Sequence, residues 1–351
     1  MTLAAPTRPS YAIRDYRAED EEGVLTLLQL ALGEGSSFAR SVDFWRWKHF
    51  QNPFGPSQVM LAANEQVLGL RAFMRWGFVT PSGRLRAVRA VDTSTHPDYR
   101  RVGIFSKLTH QSVEQAKGDG VNLIFNTPNP QSMAGYLKLG WQLAGRPRLL
   151  IRPLNPLRMI SALLVRPKRR LTAEAAQRFF RSSPTPVEAL LDHGDRTEKI
   201  LAFDSNIEAK GIRTDRSLAF LQWRYAAAPS PRYYALWTGE KPVTGAVIFR
   251  PNLRNGLREI MICEFLIGFG AAPQARELIG QLIKAVRADY LVASATPGTY
   301  HWGTLKRAGF IALPARFGPN FTVNPLNWPA GELDPTRLEH WRLSLGDLEI
   351  F

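Results

Sequence analysis

Apolar and polar residues alternate through Tyr11 to Tyr16, which predicts a strand. Val24, Leu25, Leu27, Leu28 and Leu32 then recur at helical spacing, with Glu19 or Asp20 available to cap the turn. Two strands are expected at Val59 to Ala63 and Gln66 to Phe78, parted by a polar turn at Asn64 and Glu65, and a third at Arg84 to Thr95 after Pro81-Ser82-Gly83. Phe105 to Gln115 returns to helical spacing, and Val121 to Asn126 has the apolar run of a short buried strand. Strands on either side of a helix predict a mixed αβ layer architecture.

The pattern breaks at Pro153, Pro156, Pro167, Pro184 and Pro186, where the segment reads as a connection carrying one or two short helices. Its most basic stretch is Arg166 to Arg170. The expected division is therefore 1–152, a linker over 153–186, and a second domain over 187–351. Strands follow at Arg232 to Trp237, Val243 to Arg250 and Leu257 to Ile267, then a helix from Pro273 to Ala288 and a strand at Tyr290 to Ser294.

The second half echoes the first. Phe44-Trp45-Arg46-Trp47-Lys48-His49 returns as Phe220-Leu221-Gln222-Trp223-Arg224-Tyr225, each followed by a proline and then a strand. Tyr136-Leu137-Lys138-Leu139-Gly140-Trp141 returns as Leu305-Lys306-Arg307-Ala308-Gly309-Phe310. Two echoes in the same order predict one module used twice.

Composition changes this picture little. A chain of 351 residues, 45% hydrophobic, supports two cores. No apolar run approaches the roughly 20 residues of a membrane span, and the N-terminus lacks the apolar stretch of a secretory signal, so a cytoplasmic protein is expected. The single cysteine, Cys263, lies in an apolar run and reads as a buried thiol. A formal charge of +15 implies an acidic partner, which nucleic acid, lipid headgroups or a phosphorylated small molecule would each satisfy.

The chemistry concentrates between Val91 and Trp141. A strand ends at Pro97, the chain turns through a basic loop with Arg100, Arg101 and Gly103, and an apolar-periodic helix begins with Lys107 nearby. Backbone amides and a helix N-terminus aimed at one point suit a pyrophosphate. Arg100-Arg101-Val102-Gly103-Ile104-Phe105 resembles the acetyl-CoA motif Arg/Gln-x-x-Gly-x-Gly/Ala of the GNAT superfamily, the Gcn5-related N-acetyltransferases. Arg100 and Gly103 match it, whereas Phe105 stands where that family has a small residue. Downstream, Asn126 to Ser132 leads into Tyr136, Lys138, Gly140 and Trp141, which resemble the family's tyrosine and its Lys-x-Gly-aromatic end. The resemblance runs from about Tyr11 to Arg152.

It implies an α+β fold of two GNAT-like modules, each a mixed, mostly antiparallel sheet flanked by helices. It further implies that the backbone of Thr93, Ser94 and Thr95 pairs with the pantetheine arm, and that Arg100, Arg101, Val102, Gly103, Ile104, Phe105 and Ser106 hold the phosphates, with Asn129 positioning cofactor or substrate. By the same resemblance, acetyl-CoA is the donor, no metal takes part, an amine attacks the thioester directly, and Tyr136 protonates the leaving thiolate. Asp92 and His96 are the candidate bases. Phe44, Trp45 and Trp47 are read as packing a helix onto the sheet rather than lining a pocket.

The second module has Gly268 to Gln274 at the place of the phosphate loop without the flanking cations, and no obvious counterpart to Tyr136, although Tyr300 lies close by; it reads as degenerate. The expected acceptor is a small-molecule amine, an anionic one suiting the charge, with aminosugars and cell-surface polysaccharide precursors suggested by resemblance. Phe105 leaves open a longer acyl or an aminoacyl donor. A CoA-sensing module with a basic nucleic-acid or membrane surface is the non-enzymatic alternative, but no nucleic-acid motif accompanies the charge.

Overall fold

Alternation at the start of the chain produces β1 (Ala12–Asp15), and the helical spacing after it produces α1 (Glu21–Leu32) and α2 (Val42–Phe50). In this computed structural model the described residues are 10–32, 41–162, 173–192, 194–207, 209–238, 245–268, 270 and 272–348. Then come β2 (Gln58–Ala63), β3 (Val67–Thr80), β4 (Gly83–Thr95), α3 (Ile104–Gly118) and β5 (Leu123–Asn126), close to the bounds read from the sequence, followed by α4 (Pro130–Lys138) and β6 (Gln142–Gly145). Asp20 turns back on the backbone N–H of Arg17 and pairs with Arg14, so it closes the short turn before α1.

β7 (Leu149–Pro153) leads into the proline-punctuated segment, which holds α5 (Pro156–Ser161) and α6 (Ala173–Gln177); the basic cluster Arg166 to Arg170 lies outside the described residues. The second half supplies α7 (Glu188–Leu191), α8 (Gly194–Ile207), β8 (Arg213–Thr214), α9 (Leu218–Leu221), β9 (Tyr234–Thr238), β10 (Gly245–Arg254), β11 (Leu257–Ile267), α10 (Ala272–Ala285), β12 (Tyr290–Ser294), α11 (Tyr300–Arg307), β13 (Ile311–Ala312), β14 (Phe321–Pro325) and α12 (Leu345–Leu348). Helix α10 stops short of the expected Ala288, and Val243 and Thr244 of the expected strand lie outside the described residues.

Two mixed sheets result. The first runs β1-β2-β3-β4-β5-β14-β6, with β8 added to the end of β3; the second runs β13-β7-β12-β11-β10-β9. In each, one parallel contact, β4 with β5 and β11 with β12, interrupts antiparallel pairing. The sheets trade strands: β7, from the first half, lies between β12 and β13, and β14, from the second, lies between β5 and β6. Sheet membership and the sequence thus divide at different places.

The modules share one apolar core that runs from Trp76, Phe78 and Phe125 through Trp47, Phe220 and Trp223 to Trp341. Trp341, Leu343, Leu345 and Leu348 at the end of the chain are buried in it, so this tail is a packed closing element. Helix α3 lies on β3 over Gly69, where a Cβ would come within 2.4 Å of Ile104. That absence of a side chain seats the helix and so sets where its N-terminus points. Among the described residues no helix is long and apolar enough to cross a membrane.

Candidate functional site

Strands β4 and β5 pair only over Ala87–Arg89 with Leu123–Phe125, after which they part. The edge of β4 from Val91 onward keeps its β3 partner on one side and offers free backbone groups on the other. Register with β3 also slips between Leu70 and Ala72, placing Asp92 and Thr93 opposite Arg71. Asp92 takes a φ of +40° at this bulge, a conformation disfavoured for a side-chain-bearing residue and stored here beside the open edge.

After β4, the loop places Arg101 at φ +65° and Gly103 at φ +87°, and α3 starts from Gly103 with no side chain capping its first amides. A Cβ on Gly103 would meet nothing, so the backbone angle, not space, calls for glycine. The amides of the first turn converge, uncapped, on a cleft of about 540 Å³. Its walls include Thr93, Ser94, Thr95, Arg100, Arg101, Gly103, Ile104, Phe105 and Ser106. Ser94 Oγ is buried on this edge without a partner among the described residues. Unpaired amides, a helix dipole, two arginines and an orphaned hydroxyl fit an extended, phosphorylated ligand. Val102 is not on the cleft wall and turns outward, and Asn129 spends its side chain capping α4 at the N–H of Ser132.

Tyr136, on α4, is buried, and its hydroxyl oxygen accepts a hydrogen bond of 2.7 Å from Arg71 Nη1. The same nitrogen donates to Thr93 Oγ1 on the cleft wall. The Arg71 guanidinium lies 4.8, 5.0 and 5.7 Å from the ring centres of Phe73, Tyr136 and Phe105, and is fully buried. Phe105 meets Tyr136 edge-on at 5.8 Å. The bulky residue at the motif's sixth position therefore closes a cage around Arg71. Sequence reasoning missed Arg71; its signal is a cation set between Leu70 and Ala72 in the apolar first half of a strand.

Both nominated bases are engaged. Asp92 Oδ2 receives Lys48 Nζ at 2.6 Å and His49 Nε2 at 2.9 Å, while His49 Nδ1 faces Ser57 Oγ at 2.9 Å. Burial opposes the Asp92 charge, yet the Lys48 ammonium and the His49 bond outweigh it and hold the carboxyl well below the usual range. Burial likewise lowers His49, against the pull of Asp92, and favours the neutral ring that donates from Nε2. His96 Nδ1 accepts the N–H of Asp98 in the turn after β4, and its ring packs on Tyr99. The structure brings neither to Tyr136. Phe44, Trp45 and Trp47 are buried and pack α2 against the sheet, as read from the sequence.

The second module repeats this frame with other chemistry. Aligning the parallel pairs Val88–Ile124 and Ile260–Leu291 puts Glu264 where Asp92 stands. Glu264 receives Tyr225 Oη at 2.6 Å, just as Asp92 receives His49 from the matching helix, and Arg216 Nε at 3.0 Å. Ser41 and Ser217 cap the two aromatic helices at Phe44 and Phe220. The bonds Trp141 N to Tyr136 O and Phe310 N to Leu305 O place buried Leu305 where Tyr136 stands. The cavity beside Glu264 measures about 50 Å³. That is room for a water or two, not a nucleotide.

Residues 12–144 match the model of the acetyltransferase (GNAT) domain. Those residues, most of the first module, are what the chain shares in sequence with that family. Solved GNAT structures share the fold across both modules. A GCN5-related N-acetyltransferase from Anabaena variabilis superposes with a TM-score of 0.62 at 14% identity, covering 91% of this chain and 73% of that one. A GCN5-related N-acetyltransferase from Kribbella flavida gives 0.57 at 14% identity, with 91% and 72% covered. Eis1 from Mycobacterium abscessus gives 0.54 at 15%, with 91% and 74% covered. No curated protein matches the sequence. Identities this low establish the GNAT fold, and that fold supports acyl transfer in general.

Proposed function

We propose that the protein is an acetyl-CoA-dependent N-acetyltransferase acting on a primary amine. The observation that carries this reading is the cleft at the parting of β4 and β5, closed at one end by the uncapped start of α3. In this reading the pyrophosphate meets the amides from Val102 to Ser106 with Arg100 and Arg101 as counter-charges, and the pantetheine arm adds to the free edge of Thr93 to Thr95.

The thioester is then held beside Thr93. The amine nitrogen attacks the carbonyl carbon, the C–N bond forms, the C–S bond breaks, and its electron pair goes to sulfur. Tyr136 gives its proton to that sulfur and regains one from the nitrogen through water. Water takes this relay because Asp92 is held as an anion by Lys48 and His49, and His96 Nδ1 is already accepting a bond. Asp92 instead fixes the bulge that presents Thr93. An amino sugar carried on a nucleotide, or another anionic amine, suits the formal charge of +15. Release of CoA thiol from acetyl-CoA in the presence of amino sugars, amino acids, polyamines or peptides tests the reading. Turnover with at least one amine class, lost in Tyr136→Phe, is expected; no thiol release with any of them contradicts it.

A further inference from the structure

Arg71 presents a problem that the acyl-transfer reading does not by itself solve. Its guanidinium is fully buried, it forms no ion pair among the described residues, and Nε and Nη2 have no hydrogen-bond partner there. Three aromatic rings surround it, and its two bonds go to neutral hydroxyls, Tyr136 Oη and Thr93 Oγ1. A charge kept out of water needs a counter-charge or a use. Arg216, in the second module, has its counter-charges: it lies between Glu264 and Asp347.

We propose that Arg71 is a positioning residue for the transfer step, which orients the Tyr136 hydroxyl and whose unbalanced charge is compensated by the negative charge that forms as the thioester cleaves. The inference rests on the reading of Tyr136 as proton donor. A guanidinium only donates, so Arg71 makes the Tyr136 oxygen its acceptor and leaves the phenolic proton free for another acceptor. When C–S breaks, the proton passes to sulfur, the electron pair of the O–H bond stays on the phenolic oxygen, and that oxygen becomes an anion bonded to Arg71. The counter-charge missing from the resting protein thus arises during the reaction, in a site that Phe73 and Phe105 keep dry.

This arrangement also accounts for Phe105. Its ring lies against Tyr136 and over Arg71, and a small residue there would open the cage to water. The second module has Leu305, which carries no hydroxyl, in place of Tyr136.

A double-mutant cycle with Arg71→Met and Tyr136→Phe tests the proposal. Arg71→Met should lower kcat with acetyl-CoA by about 100-fold, leave the acetyl-CoA dissociation constant within about twofold, and not lower Tm, because it removes a buried charge that has no counter-charge among the described residues. In the Tyr136→Phe background it should cost little further. With p-nitrophenyl acetate as donor, whose leaving group needs no proton, the loss should shrink. An equal loss in both backgrounds, or a loss tracked by a lower Tm or weaker CoA binding, would overturn it in favour of a structural role. Arg71→Lys, which keeps the charge but cannot bond both hydroxyls in the same way, carries the same cycle if the methionine variant does not fold. A native protein that binds CoA and turns over while the cycle is additive removes the Arg71 proposal alone; a native protein that neither binds nor turns over removes the acyl-transfer reading with it.

Discussion

Trp47 and Trp223 each donate the indole N–H to the other's backbone carbonyl, at 2.7 and 3.0 Å, with the rings stacked 5.3 Å apart and 176 residues between them in sequence. Such reciprocity belongs to a two-fold interface, in which residue i meets j as j meets i. Here it lies inside one chain, at the centre of the shared core, and it makes the aromatic helices of both modules mutual supports. Replacing either tryptophan by phenylalanine leaves a buried carbonyl without its donor and should cost about 1–3 kcal/mol in urea unfolding. Because the bonds are reciprocal, the double variant should cost clearly less than the sum of the two. Strict additivity would show that the two bonds act independently.

The carboxylate of Glu264 gives the fold a distinctive pH dependence. Burial pushes Glu264 up to about 7, with Arg216 opposing and Asp347 assisting, against an ordinary 4.5. Between those values the folded protein binds more protons than the unfolded chain, so this group makes stability fall as pH rises from about 4.5 to 7. The full effect is on the order of 3 kcal/mol. Chemical denaturation of Glu264→Gln across that range should lose this slope. A slope unchanged by the substitution would place the titration elsewhere.

Gly103 separates backbone angle from space. Its φ is +87°, and a Cβ added there would have nothing within 4 Å, so Gly103→Ala should strain only the loop and cost about 1 kcal/mol of stability. Acetyl-CoA affinity should fall roughly tenfold as the loop relaxes and the amides turn from the phosphates. Unchanged affinity, measured by calorimetry, would mean that the αL turn is not what aims them.

Phe105→Ala introduces a small residue of the kind the family's motif carries. If Phe105 serves the cage rather than the phosphates, acetyl-CoA affinity should hold while kcat falls about tenfold. A loss of affinity without loss of kcat would reverse that assignment.

The longer strands and helices were legible in the sequence, while the shorter strands and the pairing were not. β7 and β14 were not read as strands: Leu149–Pro153 runs into the first proline of the punctuated segment and Phe321–Pro325 is a short run ending at a proline, and nothing local states that the one joins the second sheet and the other the first. The phosphate loop was legible because it is contiguous: Arg100 to Ser106 carries its own turn, glycine and helix start. Asp92 was visible as a polar residue near a strand end, but the Lys48 and His49 that neutralise it belong to a distant helix that reads as aromatic packing. Arg71 was hidden for the same reason, since its partners Thr93, Tyr136 and Phe105 come together only when β3, β4, α3 and α4 do.

Whether one module of the two keeps a CoA site is tested most directly by isothermal titration of the whole protein with acetyl-CoA. One site per chain, abolished in a Gly103→Glu variant that stays folded, is the predicted result; no heat of binding, two sites per chain, or a site that survives Gly103→Glu would contradict it.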